Sequence, residues 1–296
     1  MKKLLFILIA AVLVMGACGK KEEKTDKNAK DKGVFTIGVI PAQTEGEMKG
    51  ALEKLQTVLS DKLGREVKIT SYPDYNGVVE AMNYKKIDMA YFGPLTYVIA
   101  HENSGAEAIV TQLIKGEPFY YSYLITHKDS TLSSIGDLVK NAKEVKFAFG
   151  DPSSTSGALI PGIELKDQGV YKSESEYSFK SVQFTGSHDA TALAIQNKQV
   201  DAGAIDSAIF DKLAEEGTID AAQFKTIWKS EKLFQYPWAV SKGTDKDTKQ
   251  KLQEAFLDIK DQKILKAFGA TGFTKAENKD YESIRQAAEK EGLLKK

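Results

Sequence analysis

The chain has 296 residues, 42% hydrophobic and 28% charged, with 41 basic and 41 acidic side chains and therefore no formal net charge. Beyond residue 32 no basic block or stripe stands out, which argues against nucleic acid as a partner. A single cysteine excludes an internal disulfide and any cysteine-rich metal site, and neither a metal nor another cofactor is expected.

Met1-Lys2-Lys3 is a short positive segment, followed by an apolar stretch from Leu4 to Met15. That order is a secretory signal, too short to be a comfortable membrane span. Met15-Gly16-Ala17-Cys18 puts small residues before the cysteine and resembles the lipobox of bacterial lipoproteins, with Met15 where Leu is usual. The resemblance implies acylation of Cys18, which becomes the mature N-terminus; a cleaved signal with an incidental cysteine is the alternative. Residues 1–17 are thus the expected signal peptide. Residues 18–33, nearly all Lys, Glu, Asp, Asn and Thr after the cysteine, bury too little surface to offset their ordering entropy and form a tether.

The body from Val34, about 260 residues, is ample for two lobes. Val34 to Ile40 is a β-rich run. Met48 to Leu63 carries Leu52, Leu55, Val58 and Leu59 at helical spacing and stops at Gly64. A strand over Val67 to Ser71, a helix over Gly77 to Tyr84 and a strand over Ile87 to Phe92 follow. This βαβαβ order predicts a mostly parallel, doubly wound sheet, with ligands at the strand carboxyl ends.

Ala81-Met82-Asn83-Tyr84-Lys85-Lys86-Ile87-Asp88-Met89-Ala90 matches Ala194-Ile195-Gln196-Asn197-Lys198-Gln199-Val200-Asp201-Ala202-Gly203 in character at nearly every place. Phe147-Ala148-Phe149-Gly150 likewise echoes Ile37-Gly38-Val39-Ile40. Two α/β units of one design predict two lobes. The chain crosses between them at the β-rich runs Tyr120 to Thr126 and Pro237 to Val240. Residues 34–123 and 234–296 are then the first lobe and 124–233 the second, with a cleft between them suited to a small ligand and able to close by hinge motion.

Asp151-Pro152-Ser153-Ser154-Thr155-Ser156-Gly157 lies between a strand over Lys146 to Phe149 and a helix over Ala158 to Lys166. Its hydroxyls and free amides at a helix start favour an anion, and Gly157 permits close backbone approach. Capping alone needs one serine. A second such start holds His188, which either donates to an oxyanion or caps its helix and faces solvent. The internal echo sets Tyr75 at the equivalent point of the first lobe. Tyr120, Tyr121 and Tyr236 stand at the crossings. Asp206 ends an apolar strand; it is either a cap or hinge contact, or a carboxylate accepting a hydrogen bond from a protonated oxygen of the ligand.

Tyr75 in its Pro-Asp-Tyr setting, Ile87 to Pro94, Gly150-Asp151-Pro152-Ser153-Ser154-Thr155-Ser156-Gly157, Gly186-Ser187-His188-Asp189 and Val200-Asp201-Ala202 resemble the phosphonate/phosphite-binding proteins of ABC importers, in order over nearly the whole body. The resemblance implies the two-lobed type II periplasmic-binding fold. It implies that Ser154, Thr155 and Ser156 hold an oxyanion, with Tyr75, Tyr120 and His188 completing the shell. The family's aminoethylphosphonate binders hold the amine with acidic residues where this chain has Ala208 and Tyr236, so the expected ligand lacks an amine: phosphite, methylphosphonate or phosphate. Expected partners are that anion, an ABC permease with its ATPase, and the membrane through the N-terminal lipid, the protein being a monomer on the extracytoplasmic face. No nucleophile elbow, P-loop or His-Glu-x-x-His motif is present, so no enzyme is expected. The alternative function is a binding lipoprotein for an amino acid, a heterocycle or sulfate.

Overall fold

The computed structural model describes residues 33–44, 46 and 48–294; the signal, Cys18 and nearly all of the tether lie outside them. The chain begins with β1 (Phe35–Val39), α1 (Met48–Leu63), β2 (Val67–Ser71), α2 (Tyr75–Asn83), β3 (Met89–Tyr91), α3 (Pro94–Ser104), β4 (Glu107–Leu113) and β5 (Phe119–Tyr120). It continues with β6 (Ser122–His127), α4 (Ile135–Lys140), β7 (Lys146–Phe149), α5 (Ile160–Asp167), a hairpin of β8 (Tyr171–Ser173) and β9 (Glu176–Tyr177), β10 (Ser181–Phe184), α6 (His188–Gln196), β11 (Ala202–Asp206), α7 (Ser207–Glu215), β12 (Phe224–Lys229) and β13 (Leu233–Phe234). The last elements are β14 (Pro237–Val240), α8 (Lys246–Leu257), α9 (Gln262–Ala267), β15 (Gly272–Lys275) and α10 (Glu282–Lys290).

Two sheets result, ordered β2-β1-β3-β14-β4-β15 and β10-β7-β11-β6-β12. Position by position they have the same design. β1 runs parallel to β2 and β3, as β7 does to β10 and β11. β14 runs antiparallel to β3 and β4, as β6 does to β11 and β12. The sheets are therefore mixed, not mostly parallel as the βαβ pattern suggests. The reason is connectivity: β6 and β14 are the first sheet strands after each passage between lobes. Each enters at the carboxyl ends of its neighbours and must run against them. Between the two sheets β5 pairs antiparallel with β13; β5 shares Tyr120 with the first run expected to cross, and β13 precedes the second.

The sequence echo has a structural counterpart. After α2 and α6 the chain turns through a lysine in the left-handed region, Lys85 (φ 55°) and Lys198 (φ 56°). The next amides, of Lys86 and Gln199, donate back to Ala81 and Ala194, both at 2.8 Å. Asp88 then accepts from the Thr36 amide and Asp201 from the Lys146 amide, both at 2.7 Å. Each carboxylate ties the returning strand to the strand at the centre of its βαβ unit.

Packing follows the apolar patterns. α1 buries Ala51, Leu52, Leu55 and Leu59 along one stripe, each leucine contributing about 1.5–3 kcal/mol. Trp238 fixes β14 through rings of Tyr91, Phe256 and Phe268 at 4.9, 4.8 and 5.6 Å. In the second lobe Phe147, Phe149 and Phe179 pack in a core of their own. Gly203 is hemmed in by β7 and α6: a Cβ there would meet the Ala148 carbonyl oxygen at 2.8 Å and the Thr191 Cγ2 at 2.9 Å. A backbone carbonyl cannot step aside cheaply. Gly203→Ala is expected to cost about 1–3 kcal/mol, read as a lower denaturant midpoint at an unchanged slope.

Candidate functional site

Helix starts from both lobes converge where the sheets face each other. α2 begins at Tyr75 because Asp74 caps it, accepting from the Gly77 amide at 2.7 Å. This cap moves the helix start two residues ahead of the periodicity and puts Tyr75 in its first turn. α3 begins at Pro94, and its Leu95 amide donates to the Thr155 hydroxyl of the other lobe at 2.8 Å. α6 begins at His188 behind its cap Ser187, and α7 begins behind Asp206.

The hydroxyl-rich loop has a more particular shape than an ordinary helix start. Thr155–Leu159 forms one π-helical turn before α5, a feature frequent at functional sites. Ser154 caps it, accepting from the Gly157 amide at 3.0 Å. The first amides of such a turn have no acceptor within it and are aimed outward. Ser122 Oγ holds the loop by donating to the Ser156 carbonyl at 2.7 Å. Gly157 is required by space: a Cβ there would lie 2.9 Å from Ser154 Oγ, 3.1 Å from His188 Cε1 and 3.2 Å from Gly150 Cα.

Within this cage the Tyr75 and Tyr120 hydroxyls, Ser156 Oγ and Asp206 Oδ2 are buried without a hydrogen-bond partner. Four such atoms in one place are costly unless something pairs with them. Ser154 borders the Tyr75 hydroxyl, and Ser156 and Thr155 border that of Tyr120. Burial raises all three phenols, Tyr75, Tyr120 and Tyr236, well above their ordinary pKa, so they act as neutral donors.

His188 is fully buried. Its Nδ1 accepts from the Asp206 amide at 3.3 Å, so the proton of the neutral ring sits on Nε2, 3.2 Å from the Tyr236 hydroxyl. Burial pushes its pKa down to about 4. The ring is therefore an uncharged donor. Ser187 does the capping, and the solvent-facing alternative is excluded.

Asp206 does two things at once. Oδ1 caps α7, accepting from the Ala208 and Ile209 amides at 2.7 and 3.0 Å. Oδ2 has no hydrogen-bond partner. Burial raises its pKa to about 7 against the opposing pull of those two amides and of the neighbouring Tyr236 hydroxyl.

Direct contacts already join the lobes around the cage. The Thr44 amide and hydroxyl donate to Asp189, the His188 amide to the Ala42 carbonyl, the Tyr75 amide to Asp151, and Lys212 to Gln43. Burial acts to raise the Asp189 carboxyl, but its hydroxyl and amide donors outweigh burial and hold it below the usual value.

The chain matches, over residues 37–281, the family described as ABC transporter, phosphonate, periplasmic substrate-binding protein. It belongs to that family. It is 30% identical to the phosphate-import protein PhnD of Mycolicibacterium smegmatis, over 96% of this chain and 94% of that one. It is 30% identical to the phosphonates-binding periplasmic protein of Escherichia coli, over 86% and 75%. Two crystal structures superpose with a TM-score of 0.78. One is an ABC phosphonate transporter binding component of Pseudomonas aeruginosa, 29% identical over 86% of this chain and 85% of that one. The other is PhnD1 of Prochlorococcus marinus in complex with methylphosphonate, 26% identical over 88% and 99%.

This phosphonate-type binding protein is thus an extracytoplasmic, non-enzymatic component of an ABC transporter with the two-lobed periplasmic-binding fold. Of the residues singled out in sequence, Tyr75, Tyr120, Ser154, Thr155, Ser156, His188, Asp206 and Tyr236 come together. Tyr121 does not: its ring stacks beside Tyr123 under the Lys229 ammonium, away from the cage. The carboxylates Asp151 and Asp189, the Leu95 amide and Thr44 carried no separate signal, although both aspartates sit inside the conspicuous motifs. Among the described residues no group of His, Cys, Asp or Glu is arranged to hold a metal ion.

Proposed function

We propose that this protein captures a small phosphorus oxyanion without an amine (phosphite, methylphosphonate or phosphate) by lobe closure and delivers it to an ABC permease driven by its ATPase. It does so as a monomer, held to the extracytoplasmic face of the membrane by a lipid on Cys18. The observation that carries the reading is the set of unpartnered donors, Tyr75 Oη, Tyr120 Oη and Ser156 Oγ, together with the unpartnered acceptor Asp206 Oδ2. A singly protonated oxyanion has the complementary pattern: several acceptor oxygens and one O–H. The cage neutralises the anion with helix dipoles and neutral donors, and no ammonium or guanidinium is required. Tyr75 lies in the first lobe and Ser156, His188 and Asp206 in the second. An anion touching both therefore binds the closed form better, and that difference drives closure.

The absence of charge at Ala208 and Tyr236 supports a ligand with no amine. The names of the relatives agree in class, covering phosphate import, phosphonates and, for a Prochlorococcus marinus protein 28% identical to this chain, phosphite. The test is thermal unfolding of residues 33–296, a compact unit of their own, with phosphite, methylphosphonate, phosphate, 2-aminoethylphosphonate and sulfate. A ligand at a hundred times its dissociation constant is expected to add about 2.7 kcal/mol, a shift of several degrees. Selective stabilisation by an amine-free phosphorus oxyanion is the expected result. A response to 2-aminoethylphosphonate at sub-micromolar concentration overturns the amine-free reading, and no response to any phosphorus oxyanion overturns the ligand class.

A further inference from the structure

We propose that the oxyanion cage opens into a small subsite, bordered by two buried glutamines in an otherwise largely apolar wall, that selects an uncharged hydroxyalkyl substituent on phosphorus, making hydroxymethylphosphonate a preferred ligand over alkylphosphonates. The proposal rests on the phosphorus-oxyanion reading above. A chamber of about 30 Å³ has Asp206 and Tyr236 in its wall, both members of the cage, and continues past Tyr91, Gln112, Gln235 and Phe268. That volume exceeds the ~10–15 Å³ a water requires and suits a substituent of about two non-hydrogen atoms.

The wall has a specific hydrogen-bonding pattern. Gln112 is 4% and Gln235 1% exposed, and each has one amide end without a partner: Oε1 of Gln112 and Nε2 of Gln235. The network fixes which ends these are. The Tyr236 amide can only donate, and it lies 3.0 Å from Gln235 Oε1. That same oxygen lies 3.3 Å from Gln112 Nε2, which also donates to the Tyr91 hydroxyl at 3.0 Å. Turning Gln112 round would set oxygen against oxygen. One buried acceptor and one buried donor are left, and a hydroxyl is the small group that satisfies both.

Other substituents fit less well. An alkyl group leaves both amide ends unpaired. An ammonium finds no carboxylate in this wall except Asp206, already engaged with α7 and the oxyanion. A second anionic group finds one cation among the lining residues, Lys212, whose ammonium is bonded to Gln43 at 2.8 Å and Glu216 at 2.9 Å.

The test is titration calorimetry of residues 33–296 with methylphosphonate, ethylphosphonate and hydroxymethylphosphonate. The last two have equal numbers of non-hydrogen atoms, so the chamber's size does not separate them. Hydroxymethylphosphonate is expected to bind at least tenfold more tightly than ethylphosphonate. Gln112→Leu is expected to bring that ratio within threefold of one, whatever it does to either affinity. Gln112→Glu, nearly isosteric and safer for folding, is expected to move the preference towards aminomethylphosphonate by about tenfold. Binding of methylphosphonate with no preference between the other two overturns the subsite alone, as does a ratio unmoved in both variants. Failure of every phosphonate, phosphite and phosphate to bind overturns the oxyanion reading and the subsite with it.

Discussion

Ser156→Ala is expected to weaken oxyanion binding by about 10- to 100-fold while leaving the unliganded protein as stable as before, or more so. The two effects have one cause. Ser156 Oγ is buried and has no partner, so its desolvation, roughly 1–3 kcal/mol, is uncompensated until an anion arrives. Hydrogen bonds to charged groups contribute about 1.5–3 kcal/mol, and each 1.4 kcal/mol is tenfold in affinity. Tyr75→Phe and Tyr120→Phe belong to the same class, each deleting a buried, unpartnered hydroxyl without emptying the ring's place. Ser154→Ala is the contrast. Its oxygen caps the π-helical turn, so about 1 kcal/mol of stability is expected to disappear together with affinity. Calorimetric unfolding without ligand, paired with titration of phosphite, separates the cases. A drop in the unfolding temperature of Ser156→Ala at unchanged affinity would show that the hydroxyl serves the fold and not the ligand.

Asp206→Asn is expected to admit sulfate and to remove a pH dependence. The carboxyl has its pKa raised from 3.8 to about 7 by burial. Between those two values the folded protein thus holds a proton that the unfolded chain has already lost. Stability from this source is fully present below about pH 4 and is lost as pH rises from 4 to 7, by at most roughly 4 kcal/mol. Asparagine keeps the cap oxygen for the Ala208 and Ile209 amides and has no charge to desolvate. Its unfolding curve is therefore expected to be flatter over that range, with the gap to the parent protein widest above pH 7. Binding changes in the complementary way. An ionised Asp206 accepts a hydrogen bond from the P–OH of hydrogen phosphate or of phosphite or methylphosphonate monoanions, but faces only like charge in sulfate. An amide in its place donates, so sulfate affinity is expected to rise at least tenfold at pH 7.5 while phosphorus oxyanions lose about 10- to 100-fold. Titrations with sulfate and phosphite at pH 5.5 and 7.5 check both signs. Sulfate remaining excluded by the variant would refute the role of Asp206 as the reader of the ligand's proton.

The local patterns of the chain fixed much of the architecture. The 3.6-residue spacing of Leu52, Leu55 and Leu59 placed α1 at Met48–Leu63, and the repeated helix–turn–Asp segment announced two lobes whose sheets share one strand order. The convergence of Tyr75, Ser154, Thr155, Ser156, His188 and Asp206 was legible because each sits at a helix start or strand end, where both sequence signals and free polar groups concentrate. What such patterns do not carry is partnership across the chain. Thr44 meets Asp189 across 145 residues and Leu95 meets Thr155 across 60, and nothing local to either residue specifies the other. The mixed sheets have the same origin, since the direction of β6 and β14 follows from where the chain re-enters each lobe. The division of labour between Ser154 and Ser156, and between the two oxygens of Asp206, was also decided in three dimensions. Residue type supplies a donor or an acceptor, but only the packed structure determines which of them the fold consumes and which remains for a ligand.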